Sequence, residues 1–451
     1  MMKPLAWLAC SPLVLAAAGC GEEADDTTRA PFPEYTRPLS EGETACGRAD
    51  FEELFPFSIR SATLPVLVHY SRKEERDTAR QVLAFVEKGW DYHVNRIGMR
   101  PPLTDAGECG PDDAFDVLVW RGHSSCLVDV LGDEPSTSWN DWHPFMIVDP
   151  WGPYGGADLE ETVVHEMAHA SQAADDWNES PVLFEMSASF LDQIYMDRYA
   201  DEGLADFQRH PDRAIDHDDG YETWAMYGSS MVLLYLKDRF FDGDPTFVSR
   251  MWLDARNPRG AEGALDRNEP DFVDALDAML REVADTSYVD IVPELARWRW
   301  YTGDHVDDRH FRHFAGGLEN LEEARLTLAA QIEASPGRID IREGVPMMLG
   351  TSYIELSAGA DAARPVCVSL DAPDDARRRF VVQAVPGLTP DSDGELLDLS
   401  SGPAPLELAA DGKRTLVVTV LPTGPYDPDT RGEERYPFTV VLHPRSGGCS
   451  G

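Results

Sequence analysis

The chain has 451 residues, 81 acidic against 39 basic side chains, and a formal net charge of −42. A hydrophobic content of 43% is that of an ordinary globular protein, so disorder of the whole chain is excluded and the length predicts two to three domains. So large an acid excess excludes nucleic-acid binding through a basic patch and charge-driven binding to anionic lipid, since both partners present phosphate.

Met1 to Gly19 reads as an export signal, with one early positive charge at Lys3 and a mostly apolar run from Leu5 to Ala18. The run is too short to span a bilayer. It ends Leu15-Ala16-Ala17-Ala18-Gly19-Cys20, which resembles the lipobox of bacterial lipoproteins and implies lipidation at Cys20. The expected location is the bacterial cell envelope, at the outer membrane, or outside the cell. Behind Cys20 the chain is rich in Glu, Asp, Thr and Pro, the composition of a tether. The expected division is signal peptide 1–20, acidic tether 21–50, main domain 51–345 and a β-sandwich 346–451. Export implies disulfides. Closeness in sequence favours the pairs Cys109–Cys126 and Cys367–Cys449, with Cys46 left over; spacing alone does not prove connectivity.

Thr63 to Tyr70 predicts a strand, and the 3–4 spacing of apolar residues from Glu74 to Ile97 predicts a long helix. FDVLVW (115–120) and FMIV (145–148) predict two more strands. After a Gly-rich loop, Asp158 with Glu161 three residues later resembles a capping box and opens a helix to about Ala174. Val182 to about Phe241 is mainly helical, with further helices at Pro245–Ala255, Pro270–Ala284 and Pro293–Tyr301. Strand signals resume after about residue 345, with alternation at Val366-Val368-Leu370, Leu416-Val418-Val420 and Phe438-Val440-Leu442. Short strands over about a hundred residues predict a sandwich.

The helix near Asp158 contains His165-Glu166-Met167-Ala168-His169. Histidines at i and i+4 share a helix face and can meet one zinc ion, while Glu166 can act as general base towards water. Catalytic zinc takes a third protein ligand. Downstream stand Asp175, Asp176, Glu179 and Glu185. Glu185 lies among Phe, Met, Leu and small residues, where a carboxylate is costly unless paired or metal-bound, so it is the preferred ligand. Glu179, in a polar loop beside Pro181, reads as solvated. Asp192, seven residues after Glu185, shares its helix face and is a candidate acceptor for a ligand histidine.

HEMAHASQ followed by FEMSASFLDQIY resembles the gluzincin clan of zinc metallopeptidases, and within it a group of secreted bacterial metalloproteases typified by myxobacterial members. The resemblance covers roughly 65–345, with a similar β-rich region beyond, and includes the Tyr-Gly helix beginning Tyr227-Gly228. Met186 departs from the small residue usual after the glutamate. The resemblance implies an α+β, zincin-like domain (a small mixed sheet with the active-site helix, then a mainly helical lobe) followed by the sandwich. It implies peptide-bond hydrolysis with His165, His169 and Glu185 on one zinc and Glu166 as base. Tyr227 is the first choice for the oxyanion donor, with Tyr221 and His217 as alternatives. In the resembling enzymes a strand such as Phe145–Val148 is an edge that aligns extended substrate.

The acidic loops Asp216–Gly220 and Asp391–Glu395 could hold calcium but match no EF-hand spacing. The expected partners are a peptide or protein substrate and the membrane through a lipid anchor only, with no nucleic acid; the chain is expected to be a monomer. The alternative is a catalytically silent lipoprotein that keeps a peptidase fold for binding or adhesion. Retention of Glu166 argues against it.

Overall fold

The computed structural model describes residues 51–105, 113–123, 126–153, 155–198, 202–218, 223–259, 268–311, 325–358, 366–389, 392–429 and 432–444, with Cys46, Gly107, Cys109 and Cys449. The expected signal peptide, Cys20 and nearly all of the tether lie outside these residues. The described chain is α+β, with helices and several sheets. No helix among the described residues is long and apolar enough to cross a membrane. The chain divides into two compact units, one of residues up to 89 with 102–134 and 142–174, the other of 90–101, 135–141 and 175 onward.

The first unit is built on a mixed five-stranded sheet. Its strands are β1 (Phe57–Arg60), β2 (Val66–Tyr70), β3 (Phe115–Val119), β4 (Leu127–Asp133) and β5 (Trp142–Val148), in the order β1-β2-β3-β5-β4. Strands β2, β3 and β5 run parallel, while β1 and β4 are antiparallel to their neighbours. VLVHY and FDVLV are buried throughout. Parallel strands covered on both faces read as such runs, which is why the sequence disclosed them. The strand at 145–148 is not an edge. β5 lies between β3 and β4, and β4, which is only partly buried from Asp129 onward, takes the edge instead.

Helices α1 (Phe51–Leu54), α2 (Arg76–Trp90) and α3 (Leu159–Ala173) accompany this sheet. The predicted long helix ends its regular part at Trp90 and continues as a π-turn over Asp91–Ile97, closed by Gly98 at φ 88°. A Cβ on Gly89 would stand 3.0 Å from the Met167 side chain, so glycine there sets a close approach of α2 to α3.

Cys46 bridges Cys109, with Cα atoms 4.7 Å apart, which corrects the Cys109–Cys126 pairing. Cys46 and Cys109 belong to one apolar cluster with Phe51, Leu54, Phe55, Leu118, Phe145 and Ile147. Packing of the chain before β1 onto the sheet therefore brings a distant cysteine to Cys109. Cys126 is buried and stands in neither bridge. Cys367–Cys449 forms as expected.

The second unit begins with helices α4 (Pro181–Met196), α5 (Glu202–Arg209), α6 (Ala225–Gly228), α7 (Ser230–Phe240), α8 (Phe247–Asp254), α9 (Phe272–Ala284) and α10 (Tyr288–Trp300). α10 starts five residues before the expected Pro293. Ser287 caps it by accepting from the Asp290 N–H, and Pro293 lies buried inside the helix. Its strands are β6 (Ala330–Glu333), β7 (Gly337–Asp340), β8 (Thr351–Ser357), β9 (Val366–Asp371), β10 (Arg378–Val385), β11 (Glu395–Leu396), β12 (Ala404–Leu406), β13 (Lys413–Pro422) and β14 (Thr439–Pro444). They form two sheets, β11-β10-β13-β8-β6 and β12-β9-β14-β7. Ile354, Leu416 and Val418 from one sheet share an apolar cluster with Val368, Val440 and Leu442 from the other. Strands resume at Ala330 rather than after 345, since β6 and β7 pair with β8 and β14. Helix α10 packs on the first of these sheets, and the Tyr353 hydroxyl donates to the Ala296 carbonyl at 2.7 Å.

Candidate metal centre

Helix α3 packs against β4 and β5, with Val163, Val164, Met167, Ala168 and Ala170 fully buried. Four polar residues, Glu166, His169, Ser171 and Gln172, share this burial. Glu166 is 6% exposed, His169 4% and Gln172 not at all. Burying such groups is unfavourable unless each is satisfied. The expected capping box does not form, because Asp158 occupies the N-cap without a side-chain cap bond and a 3-10 turn over Gly156–Asp158 leads into the helix.

His165 and His169 lie one turn apart on α3, and their Nε2 atoms stand 3.1 Å from each other. Two nitrogens held at roughly 2.0–2.1 Å from one zinc in tetrahedral geometry stand about 3.3 Å apart. The two side chains therefore stand at close to the spacing that a pair of ligands on one ion would have. The other ring nitrogen of His169, Nδ1, is 2.7 Å from Gln172 Oε1. A carbonyl oxygen only accepts, so Nδ1 carries the proton and donates. The lone pair then remains on Nε2, which is the tautomer a metal requires. Sequence reading quoted Gln172 within the motif but gave it no role; its place one turn after His169 was the signal. Gln172→Leu is expected to keep the fold and weaken zinc binding about 10–100-fold, measured by competition with a chromogenic chelator.

The remaining sequence-derived residues lie in the second unit. Glu185 is 3% exposed on α4, between Phe184 and Met186, which are themselves buried. That part of α4 is clamped from within its own unit. The Trp252 indole N–H donates to Ser187 Oγ at 3.0 Å, and Phe184 packs edge-on against both Trp177 and Trp252. Asp192 is buried two turns further along the same helix. Tyr227 is half-buried on α6 with its ring 5.1 Å from that of Trp224. Its backbone is fixed by a glycine crossing, since a Cβ on Gly228 would meet the Gly203 carbonyl oxygen at 1.9 Å. His217 is half-buried, and Tyr221 lies outside the described residues.

The other downstream acids are engaged elsewhere. Asp175 accepts from Arg256 Nε at 2.9 Å. Asp176 accepts the backbone N–H groups of Asn257 at 2.6 Å and Asn178 at 2.9 Å, and burial pushes its carboxyl up to about 6. Glu179 is not solvated. It is 4% exposed, and burial drives it well above the usual carboxylate range, with Asp176 and Asp271 adding repulsion. The two suspected calcium loops lie partly outside the described residues. Within them, Asp216 accepts from the Tyr426 hydroxyl, and Asp393 faces Arg309 and His310. The buried trio Asp105, Cys109 and Asp116 lacks a thiolate, because Cys109 is oxidised to a disulfide.

No protein-family model matches the chain, and no curated protein matches it.

Proposed function

We propose that the chain is an exported, lipid-anchored zinc metallopeptidase with a zincin-like domain and a C-terminal β-sandwich. The observation that carries the reading is the His165–His169 pair, with Nε2 atoms 3.1 Å apart and His169 Nδ1 2.7 Å from Gln172 Oε1. In this reading His165, His169 and Glu185 hold the ion. When bound, zinc supplies Lewis acidity, polarising a scissile carbonyl and lowering the pKa of water towards about 7. Glu166, next to the first histidine and screened from bulk solvent, takes the proton of the attacking water on a carboxylate oxygen. It then returns that proton to the departing amine nitrogen, so that the carboxylate is regenerated. Tyr227 is proposed to donate to the developing oxyanion. Asp192 is proposed to orient a ligand histidine.

The test is cleavage of a peptide library by the purified full-length protein. Cleavage that 1,10-phenanthroline abolishes and zinc restores is the expected result. A stable zinc complex with no cleavage of any peptide favours the silent binding lipoprotein.

A further inference from the structure

A second polar cluster, within the second unit and independent of the histidine pair, surrounds Glu179. Its members are Asp176, Glu179, Asn257, Asn268 and Asp271, of which Asp176 is 0%, Asn257 1% and Glu179 4% exposed. The hydrogen bonds form a directed relay. The Ser180 N–H donates to Glu179 Oε1 at 2.7 Å, and Asn268 Nδ2 donates to the same oxygen at 3.1 Å. That turns the Asn268 amide so that its Oδ1 receives Asn257 Nδ2. Among the described residues the relay leaves two buried oxygens with no hydrogen-bond partner, Glu179 Oε2 and Asn257 Oδ1. Both are acceptors. Asp176 is joined to the same pair of asparagines through the Asn257 backbone N–H, and each of its oxygens retains capacity for a further contact.

The charge is as unbalanced as the hydrogen bonding. Among the described residues no Lys, Arg or His forms an ion pair with Asp176, Glu179 or Asp271. The neighbouring Arg256 is committed to Asp175. A buried carboxylate facing further carboxylates needs a proton or a cation. Spare acceptor oxygens, carboxylates and amide carbonyls together, with no His or Cys among them, match a hard divalent ion of the calcium type rather than zinc.

We propose that Asp176, Glu179 and the Asn257 amide oxygen form a calcium-binding site that ties the segment leading into α4 to the chain around Asn257 and Asn268. The site lies apart from the acidic loops that the sequence singled out. It involves residues far apart in sequence, with Glu179 and Asn268 separated by 89 in residue number.

The test uses the full-length protein stripped of metal with EDTA and then dialysed against calcium chloride. Wild type is expected to bind one calcium per chain. Its Tm should rise by roughly 5 °C at a calcium concentration about a hundred times Kd. Glu179→Gln and Asp176→Asn should each lose both the binding and the shift, whereas His169→Ala should keep them, which separates this site from the proposed zinc centre. Without calcium, Glu179→Gln should melt no lower than wild type, because the neutral amide replaces a buried carboxyl that must otherwise take up a proton. If one variant fails to fold, loss of binding in the other carries the same conclusion. Wild type that binds no calcium overturns the proposal, as does calcium binding that survives in both carboxylate variants.

Discussion

Glu166→Gln is expected to lower kcat/KM for peptide cleavage by about 10³-fold, within the range typical of a lost general base, while leaving one zinc per chain in place. The amide is nearly the size of the carboxylate and fits the same buried position, 6% exposed on α3, so folding should be preserved. It accepts no proton from water at neutral pH, so the attacking oxygen loses its base. Neither His165 nor His169 is changed, so metal content separates lost chemistry from lost binding. A variant that cleaves at the wild-type rate would remove Glu166 from the mechanism. A variant that loses both zinc and activity would give it a role in holding the metal instead.

The second large effect concerns the ligands. His169→Ala and Glu185→Gln should each leave zinc substoichiometric after dialysis, with activity down by at least about 10³-fold, since Lewis-acid stabilisation is worth several kcal/mol of barrier. The two variants differ in what they report. His169→Ala removes one nitrogen of the 3.1 Å pair and breaks the contact with Gln172. Glu185→Gln keeps the volume of a side chain packed between Phe184 and Met186 and changes only charge and ligand strength. Zinc and activity retained in Glu185→Gln would reopen the choice of third ligand. Circular dichroism of each variant checks that α3 and α4 remain folded.

Elements whose residues all answered to one environment were legible in the sequence. β2 and β3 are buried along their whole length and appear as unbroken apolar runs. α3 was legible through its motif, because two histidines four residues apart already imply a shared face. β6 and β7 were missed because their burial alternates only weakly and their residues include Gln, Glu, Arg and Asp, which leave no apolar stripe. β4 was missed for a related reason, since LVDVLGD mixes two acids into a strand whose outer half is half-exposed. Without β4, β5 read as an edge. The Cys46–Cys109 bridge depends on how the chain before β1 packs, and no local spacing reports that. Glu179 is the sharpest miss. Its neighbours in sequence are polar, but Asn268 and Asn257 arrive from far along the chain and enclose it. Local composition predicts exposure only when nothing distant folds over it. Gln172 was visible in the motif, yet its role follows only from the 2.7 Å contact that fixes the proton of His169.

The most direct measurement is the zinc content of purified full-length protein, by native mass spectrometry after dialysis to remove loosely held metal. One zinc per wild-type chain and none in His169→Ala is the predicted result. A wild-type chain that stays metal-free in the presence of zinc, or a His169→Ala chain that holds zinc as tightly as wild type, would contradict it.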